Sequence, residues 1–288
     1  MENLRGILFM VLAMGGFAIE DLFIKLLSTH VPVSEILIFL GFGGTIIFLI
    51  VARATQAPVL QRELLTRPVI IRTICELFGT LFFVSAIALT PLSSAASILQ
   101  ATPLVVTIGA AVFLGEKVGY RRWTAVLIGF VGVLLILHPG LDNFMPASLL
   151  AVIAVLFLAA RDLATRTMRV ELSTVTISIY GFFASGVAGI IAIPFYPAMV
   201  IPTSIEIIYL FAASFVGVFA YYSIVRATRD GDMSVISPFR YSRIVFAMFL
   251  SITILSERPD SLTFIGAGII VASGIYTFIR EARLQKIQ

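Results

Sequence analysis

The chain has 288 residues, of which 59% are hydrophobic and 12% charged, with a net charge of +4 and a mean hydropathy of +1.06. Ordinary soluble domains carry about 25% charged residues, so the composition excludes a soluble globule and predicts an all-α polytopic membrane protein. A bilayer core of about 30 Å takes about 20 apolar residues per helix, so the chain can cross ten times with short connections and has almost no room for a soluble domain.

In chain order the apolar segments run 5–28, 32–52, 68–89, 91–114, 119–137, 147–168, 173–194, 203–227, 232–255 and 259–280. Arg5 precedes an apolar run, as in a signal peptide. Glu20, Asp21 and Lys25 continue the same helical run without a small-x-small cleavage pattern, so the segment reads as an uncleaved first transmembrane helix. Pro32, Pro68, Pro91, Pro139, Pro197 and Pro202 fall at or between segments, where a missing amide hydrogen costs least. The runs are continuous and not alternating, which predicts helices and not a barrel. Cys75 is the single cysteine; it excludes an intramolecular disulfide and reads as a small buried hydrophobe.

The positive charge is a topology signal and no sign of nucleic-acid binding. Fifteen of the 20 Lys and Arg lie on alternate connections: Arg5; Arg53, Arg62, Arg67 and Arg72; Lys117, Arg121 and Arg122; Arg166 and Arg169; Arg226 and Arg229; Arg280, Arg283 and Lys286. The opposite connections hold only Arg258. Both termini are therefore expected on the cytoplasmic side, as an even number of crossings requires.

An offset of 141 residues lays Glu20-Asp21-Leu22 over Arg161-Asp162-Leu163, Lys25 over Arg166 and Glu116-Lys117 over Glu257-Arg258. A nearby offset of 139 lays Phe82 and Phe83 over Tyr221 and Tyr222. These matches predict two repeats, 1–140 and 141–288, with the boundary near Pro139 to Phe144. Five helices per repeat is an odd number, so the copies cross the bilayer in opposite directions, as in many secondary transporters.

Ten helices in two halves, an acid late in the first helix of each half, and Gly115-Glu116-Lys117 and Ser256-Glu257-Arg258 closing the fourth helix of each half resemble the drug/metabolite transporter superfamily. The run Ala-Leu-Thr-Pro-Leu-Ser-Ser-Ala-Ala-Ser over 88–97, continuing through Pro103 to Glu116, is similar to the EamA-type branch, and the resemblance covers essentially the whole chain. Arg240 and Tyr241 stand where that family often has small residues, and Asp230 and Asp232 replace its usual small polar pair. The opening Arg5 to Asp21 also looks like bacterial riboflavin transporters. The resemblance implies a secondary transporter working by alternating access, with riboflavin uptake as the implied cargo. A proton-coupled exporter of amino acids or drugs is the second expectation, and a membrane-embedded lipid-modifying enzyme or a channel-like scaffold comes from other classes.

A charge at mid-bilayer costs about 3 kcal/mol on insertion scales, so intramembrane charges mark pairs or a wet cavity. Glu20, Asp21, Lys25, Glu76, Arg161, Asp162, Arg240 and Arg243 form such a set. In one reading Asp21 with Lys25, Glu76 with Arg72 and Asp162 with Arg166 are local pairs four residues apart that set orientation. In the other, Asp21, Glu76 and Asp162 serve proton coupling or charge pairing that differs between facing states. Arg240 and Arg243 have no acid within reach on their own helix, which assigns them, with Gln100, to substrate polar groups or to Glu76 or Glu20 across a cavity.

Pro103 and Pro238 interrupt the fourth helix of each half, a sequence pointer to a central site between the third, fourth, eighth and ninth helices. Phe82, Phe83, Tyr221, Tyr222 and Tyr241 are candidates to stack on a flat ring, with Tyr180 also well inside its helix. Trp123 reads as an interface anchor. His30 and His138 sit at outer loop edges without metal-ligand spacing, and no phosphate loop or hydrolase context occurs, so neither enzyme chemistry, a metal nor a cofactor is expected. The expected partners are a small-molecule substrate and the lipid bilayer, with no nucleic acid and with homodimerisation left open.

Overall fold

The computed structural model describes residues 2–116, 118–140, 144–168, 172–230 and 233–285; Lys117, Arg169, Asp232 and Lys286 lie outside them. Every regular element among the described residues is helical: α1 Glu2–Leu27, α2 Val33–Thr55, α3 Arg67–Leu89, α4 Leu92–Leu99, α5 Thr102–Phe113, α6 Tyr120–Leu137, α7 Ser148–Arg166, α8 Thr174–Ala192, α9 Ser204–Asp230, α10 Met233–Ile236, α11 Ser242–Thr253 and α12 Ser261–Gln285. Single 3₁₀ turns cover Arg62–Leu65, Ile193–Phe195 and Ser237–Tyr241. Nine crossings among the described residues are long and apolar enough to span a membrane, Leu92–Phe113 counting as one. The tenth is the broken path α10, 3₁₀ turn, α11, whose hydropathy Arg240 and Arg243 dilute. Leu127, Val131, Phe215 and Phe219 point outward where lipid would lie, because a bilayer removes the reason to hide them.

Two expected single helices are therefore corrected to two pieces each. In the fourth crossing the chain breaks at Gln100 and Ala101, between α4 and α5. Pro103 has no amide hydrogen to give the Leu99 carbonyl, and its ring crowds that oxygen. The Thr102 hydroxyl donates to the Leu99 carbonyl instead, at 2.5 Å. In the ninth crossing Pro238 opens the 3₁₀ turn Ser237–Tyr241. Gln100 Nε2 donates to the Arg240 carbonyl across the gap at 2.8 Å, so the two interruptions satisfy each other at the centre of the molecule.

The duplicated helix ends are the same backbone device. Gly115 has φ 69° and Ser256 φ 54°, both left-handed, and they are 141 positions apart. The following amides reach back to equivalent carbonyls six residues earlier, Glu116 N to Ala110 O at 3.1 Å and Glu257 N to Ser251 O at 2.9 Å, so both helices close through a left-handed residue, as helix C-termini commonly do. Glycine adopts this φ freely and serine does so at a cost of about 1 kcal/mol.

Packing repeats with the same symmetry. α1 lies on α9 and α11, and its counterpart α7 lies on α3 and on α4 and α5; α2 packs on α8 and α6 on α12. Exchanging the halves maps this set of contacts onto itself, as two inverted five-helix repeats require. At the α6–α12 crossing Gly132 and Gly266 face each other's carbonyl oxygens, and a Cβ on either would stand 2.7 or 2.5 Å from oxygen. Only small residues allow this approach.

Outer connections are tied together within and across the halves. Lys25 Nζ donates to the carbonyls of Ile87, Ala88 and Thr90 at 3.0, 3.3 and 2.8 Å, closing the C-terminus of α3 with a cation, as the helix dipole favours. Glu257 accepts from Leu92 N and Ser93 N at 2.7 and 3.2 Å and caps the N-terminus of α4. Tyr196 donates to Ser85 at 2.6 Å, and Glu35 accepts from Val200 N at 3.1 Å.

Candidate functional site

A cavity of about 300 Å³ lies between the halves, walled by Glu20, Asp21, Arg72, Glu76, Phe83, Gln100, Arg161, Asp162, Tyr221, Arg240, Tyr241 and Arg243, with Phe17, Thr80, Pro103, Ser178 and Phe182. The volume is at the lower end of small-ligand pockets. Four acids and four arginines share the wall.

Two clusters organise them. Toward the outer end of α1, Arg243 from α11 reaches Asp21 through Nε at 3.1 Å and Nη2 at 2.7 and 2.9 Å. Asp21 is 2% exposed. The guanidinium also lies over the rings of Phe17 and Phe83, 5.2 and 5.4 Å from their centroids, so it is held against aromatic faces while its donors go to the acid. Toward the inner end of α7, Arg161 donates to Glu76 on α3 at 3.1 Å and to its neighbour Asp162 at 2.8 Å. Arg72 stands 3.5 Å from Glu76 one helical turn away. That cluster is an alternating chain of base, acid, base and acid, held between α3 and α7.

The expected local pairs are partly replaced. Glu76 does lie near Arg72, but Asp21 goes to Arg243 and not to Lys25, which caps α3. Asp162 goes to Arg161 and not to Arg166, whose guanidinium is 3.7 Å from Glu116. Adjacent helical residues diverge by about 100°, yet the long arginine side chain folds back far enough to meet Asp162. The positions of Lys25 and Arg166 are thus outside the cavity.

Of the residues assigned to substrate contact, Arg240, Arg243, Gln100, Tyr241, Tyr221 and Phe83 line the cavity. Among the described residues no carboxylate comes within 4 Å of the Arg240 guanidinium. Tyr241 is 3% exposed and its hydroxyl has no hydrogen-bond partner among the described residues; its ring stands edge-on to Phe278. Tyr222 is 54% exposed and faces outward, and Phe82 stacks with Phe157 behind the wall. Both lie outside the cavity wall, since a helix presents neighbours such as 221 and 222 to different sides. Tyr180 donates to the Val59 carbonyl at 3.1 Å. The wall also takes Phe17 from α1 and Phe182 from α8, which sequence reasoning did not place there, and Arg161, which stood in the intramembrane charge set without a substrate role. The signal for Arg161 was present, as the partner of Glu20 under the 141-residue offset.

The EamA-like transporter family matches twice, over residues 4–138 and 145–279. The chain belongs to that family. It is a multi-pass membrane transporter, and the following relatives are named as bacterial transporters of small molecules. The S-adenosylmethionine uptake transporter of Rickettsia prowazekii (strain Madrid E) is 24% identical, covering 97% of this chain and 94% of its own length. The riboflavin transporter of Vibrio cholerae is 28% identical over 71% of this chain and 68% of its own. A crystal structure 21% identical in sequence superimposes with a TM-score of 0.64, covering 95% of this chain and 98% of that one; it shows the shared fold.

Proposed function

We propose that the protein takes up a small zwitterionic metabolite bearing a flat ring, with S-adenosylmethionine as the first candidate, by alternating access of its two halves around the central cavity. The observation that carries this reading is the charged wall, above all the Arg240 guanidinium, which faces the cavity without a carboxylate of its own. A buried guanidinium is satisfied by a planar two-oxygen acceptor, which the carboxylate of an amino-acid moiety supplies. Phe83, Tyr221 and Phe182 offer ring faces for a purine. The relative whose name states S-adenosylmethionine uptake aligns along nearly the whole chain.

In this reading Asp21 with Arg243 and Glu76 with Arg161 join different helix pairs, α1 to α11 and α3 to α7. A rocking motion of one half against the other changes their separation, so they bias which side is open. Uptake also requires the ties between the halves at Glu257 and Tyr196 to release when the outer side opens.

Riboflavin is the second reading, supported by the aromatic wall and by the Vibrio cholerae relative. It carries no charge at neutral pH and so offers Arg240 no anion. The experiment is counterflow in proteoliposomes preloaded with one unlabelled solute, with labelled S-adenosylmethionine or riboflavin outside. Saturable counterflow of S-adenosylmethionine, lost in Arg240→Ala at equal membrane abundance, is the expected result. Counterflow of riboflavin alone transfers the assignment to the second reading.

A further inference from the structure

The two halves differ at one symmetric contact. Under the 141-residue offset Arg161 corresponds to Glu20 and Glu76 to Gly217. The inner pair is an ion pair, Arg161 to Glu76 at 3.1 Å between α7 and α3. The outer pair joins the same kind of helices, α1 and α9, and brings the Glu20 carboxylate against the bare Cα of Gly217, where a Cβ would meet its oxygens at 2.5 and 3.0 Å. So the place that holds a partner side chain in one half holds none in the other. Among the described residues no donor reaches the Glu20 carboxylate. Arg243, the nearby base, has both its Nε and Nη2 on Asp21, and Lys25 has turned to the α3 carbonyls.

Glu20 lines the cavity. Counting the wall, the outer cluster has two acids, Glu20 and Asp21, against one base, Arg243, whereas the inner cluster has Glu76 and Asp162 against Arg72 and Arg161. Arg240 is the remaining positive charge. Among the described residues the charges without an ion-pair partner within 4 Å are therefore one carboxylate, Glu20, and one guanidinium, Arg240, both facing the same cavity. A carboxylate in a low-dielectric site without a base is neutralised by a proton or by a cation that a ligand brings.

We infer that Glu20, set against Gly217, is the subsite for the positive charge of the transported solute, opposite Arg240, which takes its carboxylate. The inference rests on the cavity being the transport site. The solute cation then supplies the base that the outer cluster lacks, and binding completes an ion pair at Glu20 of α1, in the space that the bare Gly217 of α9 leaves beside it.

The test uses the full chain in proteoliposomes and three probes on one scaffold. S-adenosylmethionine carries a sulfonium and an ammonium, S-adenosylhomocysteine the ammonium alone, and 5′-methylthioadenosine neither. Glu20→Gln is expected to raise the half-saturation concentration at least tenfold for a cationic probe and less than twofold for the uncharged one. A rise for S-adenosylmethionine alone identifies the sulfonium as the group bound, and a rise for both cationic probes identifies the ammonium. An equal rise for all three probes means a packing role and overturns the inference. So does unchanged half-saturation with loss only of proton-driven accumulation, which would make Glu20 a proton carrier. A second measurement does not need transport: Gly217→Cys in a Cys75→Ser background places a thiol beside Glu20, and its modification by a cationic methanethiosulfonate should be at least tenfold faster than by an anionic one. That preference should fall to near unity when Glu20→Gln is added; a preference that persists overturns the inference. If none of the three probes moves through the unmutated protein, the proposed substrate fails and the thiol measurement alone decides the role of Glu20.

Discussion

The outer cluster around Asp21 and the inner cluster around Asp162 occupy equivalent backbone positions and solve the same problem differently. In the inner half the base sits beside the acid on α7, and Arg161 binds both Asp162 and Glu76. In the outer half the base arrives from another helix, Arg243 on α11, and the residue corresponding to Arg161 is an acid. Thr102 stands where the offset would put a second Arg243. Duplication thus preserved the positions while the chemistry diverged, leaving one half saturated and the other with a spare carboxylate. Asymmetry of this kind lets an architecture with two-fold symmetry bind a solute that has none.

That comparison can be broken by removing one charge at a time and measuring thermal unfolding in detergent. The largest effect is expected from Arg161→Ala, which strands Glu76 and Asp162 together; losing one partner of a buried ion pair costs about 3–5 kcal/mol. Next is Asp21→Asn. It leaves Arg243 with the faces of Phe17 and Phe83 and with Glu20 in reach, and a cost of about 2–3 kcal/mol is expected. A loss in Asp21→Asn as large as in Arg161→Ala would mean that Glu20 offers Arg243 no substitute. Lys25→Met removes three charge-assisted bonds at the end of α3 that water can partly replace, and should cost about 1–2 kcal/mol while increasing outer-side accessibility to thiol reagents. The smallest effect belongs to Glu20→Gln. With no partner to lose, its stability should stay within about 0.5 kcal/mol of the parent, although it is the positional equivalent of Arg161; a loss above about 2 kcal/mol would show that Glu20 is paired after all.

The helical membrane class, the ten apolar segments and their inward-facing charges were legible because each depends on local composition summed over about 20 residues. The repeat was legible because the left-handed closure at Gly115 and Ser256 left matching Glu residues beside it. Arg240 and Arg243 were recognisable as interior because their own helix offers them no acid, and Gln100 because it lies at a similar depth in the corresponding crossing. The pairing of charges was less legible. Spacing of four pointed Asp21 to Lys25 and Asp162 to Arg166, whereas a neighbouring helix or a flexible arginine offered each acid a nearer base, and Tyr222 was drawn into the candidate wall by its neighbour although its side of α9 turns away.

By itself the sequence determined how many times this chain crosses the membrane, in which orientation, and that its halves are copies, since hydropathy, loop charge and turn chemistry act within a single segment. Only the tertiary structure decided which charges are spent and which remain. Salt-bridge partners, the mutual bond between Gln100 and the Arg240 carbonyl, and the bare glycine beside Glu20 are set by how distant helices dock, and a low-dielectric interior makes each of those meetings count for more than proximity along the chain.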